Sequence, residues 1–165
     1  MTVLVGKKAP NFQSPAVTAQ GELITFDSNK IIDQYILLFF YPLDFTFVCP
    51  SELIALNNRI NEFKKRNVAV HGISIDSQFT HNAWRRTPVN KGGIGELNYT
   101  LISDINHEIC RTYGVEHAEA GVALRASFII DKSGIVQFAY RYTYCNDIPE
   151  YWQLKVELEA VVGKK

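Results

Sequence analysis

Tyr35-Ile36-Leu37-Leu38-Phe39-Phe40-Tyr41-Pro42-Leu43-Asp44-Phe45-Thr46-Phe47-Val48-Cys49-Pro50-Ser51-Glu52 is the stretch from which the fold is read. Its first seven residues are apolar or aromatic, as a strand buried on both faces of a sheet requires. Pro42 breaks the run, a loop carrying Thr46 follows, and Cys49 stands where a helix begins. Pro50, at the first helical position, has no N–H to lose there and arrives with φ preset. The thiolate, not the thiol, is the nucleophile, and the free N–H groups and positive dipole end of a helix start both lower a cysteine's pKa. The Thr46-x-x-Cys49 spacing sets a hydroxyl one turn before the sulfur, and Pro42 fixes the loop's entry and shields the sulfur from water. Glu52 falls in the first turn, where a carboxylate suits the dipole and can orient an arginine. Arg125 precedes the apolar run Ala126 to Ile130. If that run neighbours the 36–41 strand, its guanidinium reaches the sulfur, carrying a charge that does not titrate near neutral pH. Each residue also has a plainer reading on its own: Cys49 as a small buried hydrophobe, Thr46 as a helix cap, Arg125 as a strand-edge charge.

Outward from this stretch, strands and helices alternate. Phe12 to Val17 and Leu23 to Phe26, turned at Gln20-Gly21, read as a hairpin. Ser51 to Lys65 has apolar residues at helical spacing (Leu53, Leu56, Ile60, Phe63). Val68 to Ile75 is a strand, and Phe79 to Arg86 a short helix stopped by Pro88. Lys91 to Gly95 is a loop, Tyr99 to Ile102 a strand, and Asn106 to Tyr113 a helix ended by Gly114. Ala126 to Ile130 and Ile135 to Tyr144 flank the turn Asp131-Lys132-Ser133-Gly134. Tyr151 to Val162 is the last helix. The order predicts an α/β fold over one domain, residues 1–165: a thioredoxin-like mixed central sheet with helices on both faces and an N-terminal hairpin extension.

At 165 residues with a formal net charge of zero, the chain is sized for one core and carries no charge bias toward nucleic acid or a membrane surface. No apolar run approaches the roughly 20 residues of a membrane span, and the first residues lack a signal-peptide core, so a cytoplasmic chain is expected. Cys49, Cys110 and Cys145 are too few and too scattered for a disulfide scaffold. Glu52 occupies the second-cysteine position of a Cys-x-x-Cys, which excludes a dithiol on one helix turn. His107 and Cys110 can share a helix face, but two ligands do not make a zinc site, and no metal is expected.

The segment Phe39 to Glu52 closely resembles the signature of peroxiredoxins, of the typical two-cysteine and alkyl hydroperoxide reductase peroxidase-subunit type. The resemblance continues through Asp76 to Trp84, Gly92 to Gly95, Leu101 to Asp104 and Leu124 to Asp131. It implies that Cys49 is the peroxidatic cysteine, which attacks a hydroperoxide and becomes a sulfenic acid. By the same resemblance Thr46 and Arg125 hold the peroxide oxygens, Pro42 shields the pocket and Glu52 braces the arginine. Hydrogen peroxide and small alkyl hydroperoxides are the implied substrates. Thioredoxin or a flavoprotein disulfide reductase is the implied electron donor, and no metal or organic cofactor is called for. Strand 135–144 matches the edge through which family members form antiparallel homodimers, and Phe79 to Trp84 the region where dimers join into a decameric ring. A different class of function, a chaperone-like or redox-signalling oligomer with impaired turnover, is the alternative.

Two features depart from the family pattern. The resolving cysteine of the typical two-cysteine type sits in a Val-Cys-Pro motif beyond the last helix, and this sequence ends at Gly163-Lys164-Lys165, about where that tail would begin. The expectation is a truncated tail; natural absence, or resolution by another cysteine, are the other readings, with Cys145 the candidate and strand-end packing its plainer role. After Pro149, where the family places Gly-Arg, this chain has Glu150-Tyr151-Trp152-Gln153, so the second arginine is replaced by Trp152. Gly92-Gly93-Ile94-Gly95 resembles one half of a motif pair linked to over-oxidation, and its C-terminal Tyr-Phe half is not in this sequence.

Overall fold

The computed structural model describes residues 3–31, 33–46, 49–142 and 159–163, without the side chains of 49–51 and 142. The apolar run becomes β3 (Tyr35–Phe40), near the middle of a seven-stranded sheet. Around it stand β1 (Gln13–Val17), β2 (Leu23–Asp27), β4 (Val68–Ser74), β5 (Thr100–Ser103), β8 (Arg125–Ile130) and β9 (Val136–Tyr142). Their order is β2-β1-β5-β4-β3-β8-β9. β3, β4 and β5 run parallel, β8 pairs antiparallel with β3, and the β1–β2 hairpin and β9 form the two ends. This is the mixed, thioredoxin-like layout with the N-terminal hairpin that the sequence predicts.

Alternation along β3 divides the interior. Leu37, Phe39 and Tyr41 enter one core with Leu53 and Leu56 of α1 (Cys49–Asn58), Ile60 and Phe63 of α2 (Ile60–Lys65) and Trp84 of α3 (Gln78–Arg85). Leu38 and Phe40 enter the other with Ile109 and Cys110 of α4 (Glu108–Thr112), Tyr113 and Phe128. Each such side chain, fully buried, contributes about 1.5–3 kcal/mol, and β3 supplies both cores at once. Helices therefore cover both faces.

The helix expected over 51–65 is two. Arg59 leaves helical geometry (φ −112°, ψ 10°) between α1 and α2, just after the weak helix formers Asn57 and Asn58. A short hairpin, β6 (Glu116–His117) with β7 (Val122–Ala123), lies where no strand was expected. The turn at 131–134 forms as read: Gly134 takes φ +82°, and the Asp131 carboxylate accepts the N–H groups of Ser133 and Ile135. Among the described residues β9 is the last strand of the sheet. The segment Gly6 to Ala9 covers its start, with Gly6 N–H donating to Val136 O at 2.8 Å and Val136 N–H to Lys7 O at 2.9 Å. The expected helix 151–162 is described only at residues 159–162, where it is helical.

Candidate active site

Three elements converge beyond the C-terminal end of β3. The chain leaves the strand at Tyr41, loops through Pro42 to Thr46, and re-enters helix at Cys49, the first residue of α1. β8 lies antiparallel beside β3 with Ala126 opposite Phe40, which sets Arg125, its first residue, level with the loop. From α1, Glu52 meets it: Arg125 Nη1 donates to Glu52 Oε1 at 2.6 Å, with both side chains largely buried. Pro42 and Thr46 are half-buried, and the Thr46 hydroxyl faces Leu43 O at 3.4 Å. The structure thus joins Arg125 to Glu52 in the first turn of the helix that Cys49 opens, and places Pro42 and Thr46 on the loop between β3 and that helix. The Cys49 side chain, Cys145 and Trp152 lie outside what is described.

Burial pushes the Glu52 carboxyl up to about 7, against the pull of the Arg125 guanidinium. Its second oxygen is buried and meets no hydrogen-bond donor among the described residues, which fits the high value. From the ordinary 4.5 up to about 7, the folded state holds a proton here that the unfolded chain has released. The stability this contributes is fully present below 4.5 and is lost as pH rises through about 7. Glu52→Gln keeps the shape without the charge. Its melting temperature, minus that of the native chain, should therefore grow between pH 5 and pH 8. A constant difference across that range would show that Glu52 titrates elsewhere.

Sequence reasoning missed a polar cluster directly behind the loop. Asp44 is held by four groups. Its Oδ1 accepts from the Tyr41 hydroxyl at 2.7 Å and from Ser74 Oγ at 3.4 Å, its Oδ2 lies 2.5 Å from His81 Nδ1, and its N–H donates to Asp76 Oδ2 at 2.7 Å. The Asp44 and His81 side chains are fully enclosed. Leaving a buried polar group of this kind without its partner costs about 1–3 kcal/mol. The available signal was His81 itself, one turn before Trp84 on the buried side of α3, where an apolar residue is the usual occupant.

The loop at Gly92 to Gly95 is tied to the same helix: Trp84 Nε1 donates to Gly92 O at 3.1 Å and Ile94 N–H to Trp84 O at 3.3 Å. Gly93 sits so close to Thr87 that a Cβ would fall 1.9 Å from its carbonyl oxygen, so this position admits only glycine without backbone movement. The aromatics at 79 and 84, both open to a core reading, separate: Trp84 is fully buried and Phe79 is exposed.

Glu116 joins His107 and Cys110, the three ligand atoms lying within 4.8 Å of one another. Arg111 Nε already bonds both oxygens of that carboxylate at 3.0 and 2.9 Å. Burial, with the neighbouring Asp104, pushes the Cys110 thiol up to about 12. A cation there would have to displace a guanidinium and strip a strongly held proton.

Comparison with known proteins bears on this site. The profile of the AhpC/TSA family matches residues 5–139. The chain is 47% identical over 149 residues to alkyl hydroperoxide reductase C of Buchnera aphidicola subsp. Acyrthosiphon pisum, covering 89% of this chain and 74% of that protein. It is 51% identical over 138 residues to the chloroplastic 2-cysteine peroxiredoxin of Chattonella marina var. antiqua, covering 83% and 70%. The crystal structure of reduced Plasmodium vivax 2-Cys peroxiredoxin superposes with a TM-score of 0.92 at 41% identity, over 97% of this chain and 82% of that one.

Proposed function

Because the chain belongs to the AhpC/TSA family, we propose that Cys49 is the nucleophile with which it reduces hydrogen peroxide and small alkyl hydroperoxides. The chain is a peroxiredoxin, a thiol-dependent peroxidase of the alkyl hydroperoxide reductase and typical two-cysteine type. In the step proposed, the Cys49 thiolate attacks the terminal peroxide oxygen. The S–O bond forms as the O–O bond breaks, sulfur loses two electrons to become a sulfenic acid, and the leaving oxygen takes up a proton as water or an alcohol. Arg125 stabilises the thiolate and the charge developing on the oxygens, Thr46 orients them, Glu52 holds Arg125, and Pro42 limits water. The observation that carries this reading is the Glu52–Arg125 ion pair in the first turn of the helix that Cys49 opens.

A dithiol reductant such as thioredoxin, or a flavoprotein disulfide reductase, closes the cycle. A reducing compartment such as the cytoplasm suits a chemistry that starts from a free thiol. Two copies pair through β9, whose edge beyond the Gly6 to Ala9 segment carries the exposed Tyr140. Association edge to edge is a mode open to the last strand of a sheet, and the exposed Phe79 on α3 offers a further contact for a ring of dimers. The decisive experiment is titration of the reduced protein with one equivalent of peroxide in the presence of a sulfenic-acid trap. The expected result is one trapped adduct per chain, mapped to Cys49. An inert thiol in an intact oligomer would transfer the case to the chaperone-like alternative.

A further inference from the structure

From the buried cluster behind the loop we infer that Asp44 and His81 are positioning residues for the peroxide site, setting the loop that carries Thr46 into α1; this rests on the role of Cys49 and Thr46 proposed above. The proton inventory follows from geometry. His81 Nε2 lies 3.0 Å from Ile102 O, which can only accept, so Nε2 carries hydrogen. The 2.5 Å contact between Nδ1 and Asp44 Oδ2 then needs a proton of its own, because two lone pairs would repel at that distance. The imidazole is therefore a rigid two-ended link from the β5 backbone to the loop.

The link acts where the loop is most constrained. Phe45, the residue after Asp44, takes φ +58°, a left-handed conformation unfavourable for an aromatic residue, and Thr46 follows it. With Asp44 fixed through its side chain and its N–H, Phe45 lies on Trp84 at 6.0 Å between ring centres. Such strain persists only where the surroundings over-determine it. Asp44 supplies that over-determination without touching the reacting atoms. Released, Phe45 relaxes and Thr46 shifts, and a displacement of about 1 Å costs a positioned reaction roughly 10²-fold.

The test compares two rates at Cys49, with hydrogen peroxide and with an alkylating agent such as iodoacetamide. Peroxide needs the oriented pocket, and the alkylating agent needs only the thiolate. Asp44→Ala is expected to lower the peroxide rate about 10²-fold and the alkylation rate by less than about threefold, so the ratio collapses. Asp44→Asn should restore the ratio to within about threefold of the native chain, because its amide can donate to Nδ1 of a neutral His81 while its oxygen still accepts from Tyr41. If Asp44→Ala does not fold, His81→Gln decides: a tenfold or larger fall in the ratio supports the assignment. A folded Asp44→Ala or His81→Gln with a native ratio, or with both rates reduced alike, overturns it. A native chain that alkylates at Cys49 but consumes no peroxide would instead remove the reading of the site itself, and this inference with it.

Discussion

Cys49→Ser is expected to reduce peroxide consumption, in the presence of a thiol reductant, to the rate of the buffer alone. Cysteine is the side chain whose ionised fraction at neutral pH is already appreciable and whose ionised form is intrinsically nucleophilic; a hydroxyl is weak in both respects. The position magnifies the difference, since Cys49 opens a helix whose dipole favours the anion. The substitution is nearly isosteric, so the fold should be retained and a circular dichroism spectrum should not change. Cys110 offers no detour: its thiol is buried and pushed up to about 12. Turnover that survived in Cys49→Ser would sink the proposed chemistry.

The second large effect is at Arg125. Arg125→Ala should lower the second-order rate constant with hydrogen peroxide by about 10²–10³-fold, the usual loss when one group aimed at developing transition-state charge is removed. Arg125→Lys should recover only part of it, because a point charge cannot reproduce a planar fork that both binds a carboxylate and faces an oxygen. The effect has two parts. The guanidinium is lost from the pocket, and the enclosed Glu52 carboxyl loses the partner that pulls against its burial. Stopped-flow measurement of peroxide-dependent fluorescence change would read the rate. A value for Arg125→Ala within threefold of the native chain would exclude Arg125 from the reaction.

How far the sequence disclosed the molecule depends on the range of the interaction. The 35–41 run is apolar at every position because β3 feeds two cores, and that is visible residue by residue. The turn at Asp131 to Gly134 was equally legible, since its bonds span at most four residues. The break at Arg59 was not, because apolar spacing continues unchanged across it: Leu53, Leu56, Ile60 and Phe63 all stay in one core while the backbone departs from helix between them. The two-residue strands β6 and β7 are too short to show a period. In the site, Cys49, Thr46 and Glu52 share one local pattern and were read together, and Arg125 was placed by assuming that β8 neighbours β3, which it does. Asp44 and His81 escaped because their bond joins residues 37 apart with no periodicity between them. A carboxylate in a loop and a histidine on a short helix each look solvated until the topology closes over them.

The separation of Glu52 from its partner, 73 residues, also has a meaning in time. Arg125 leaves the ribosome 76 residues after Cys49 (125 − 49), which at synthesis rates of roughly 5–20 residues per second is a delay of about 4–15 s. During that interval a nascent chain carries Cys49 and Glu52 without the guanidinium that Glu52 accepts from in the folded chain. The antiparallel partner of β3 is supplied by the later half of the chain, so the bond between Glu52 and Arg125 closes only when β8 has joined the sheet.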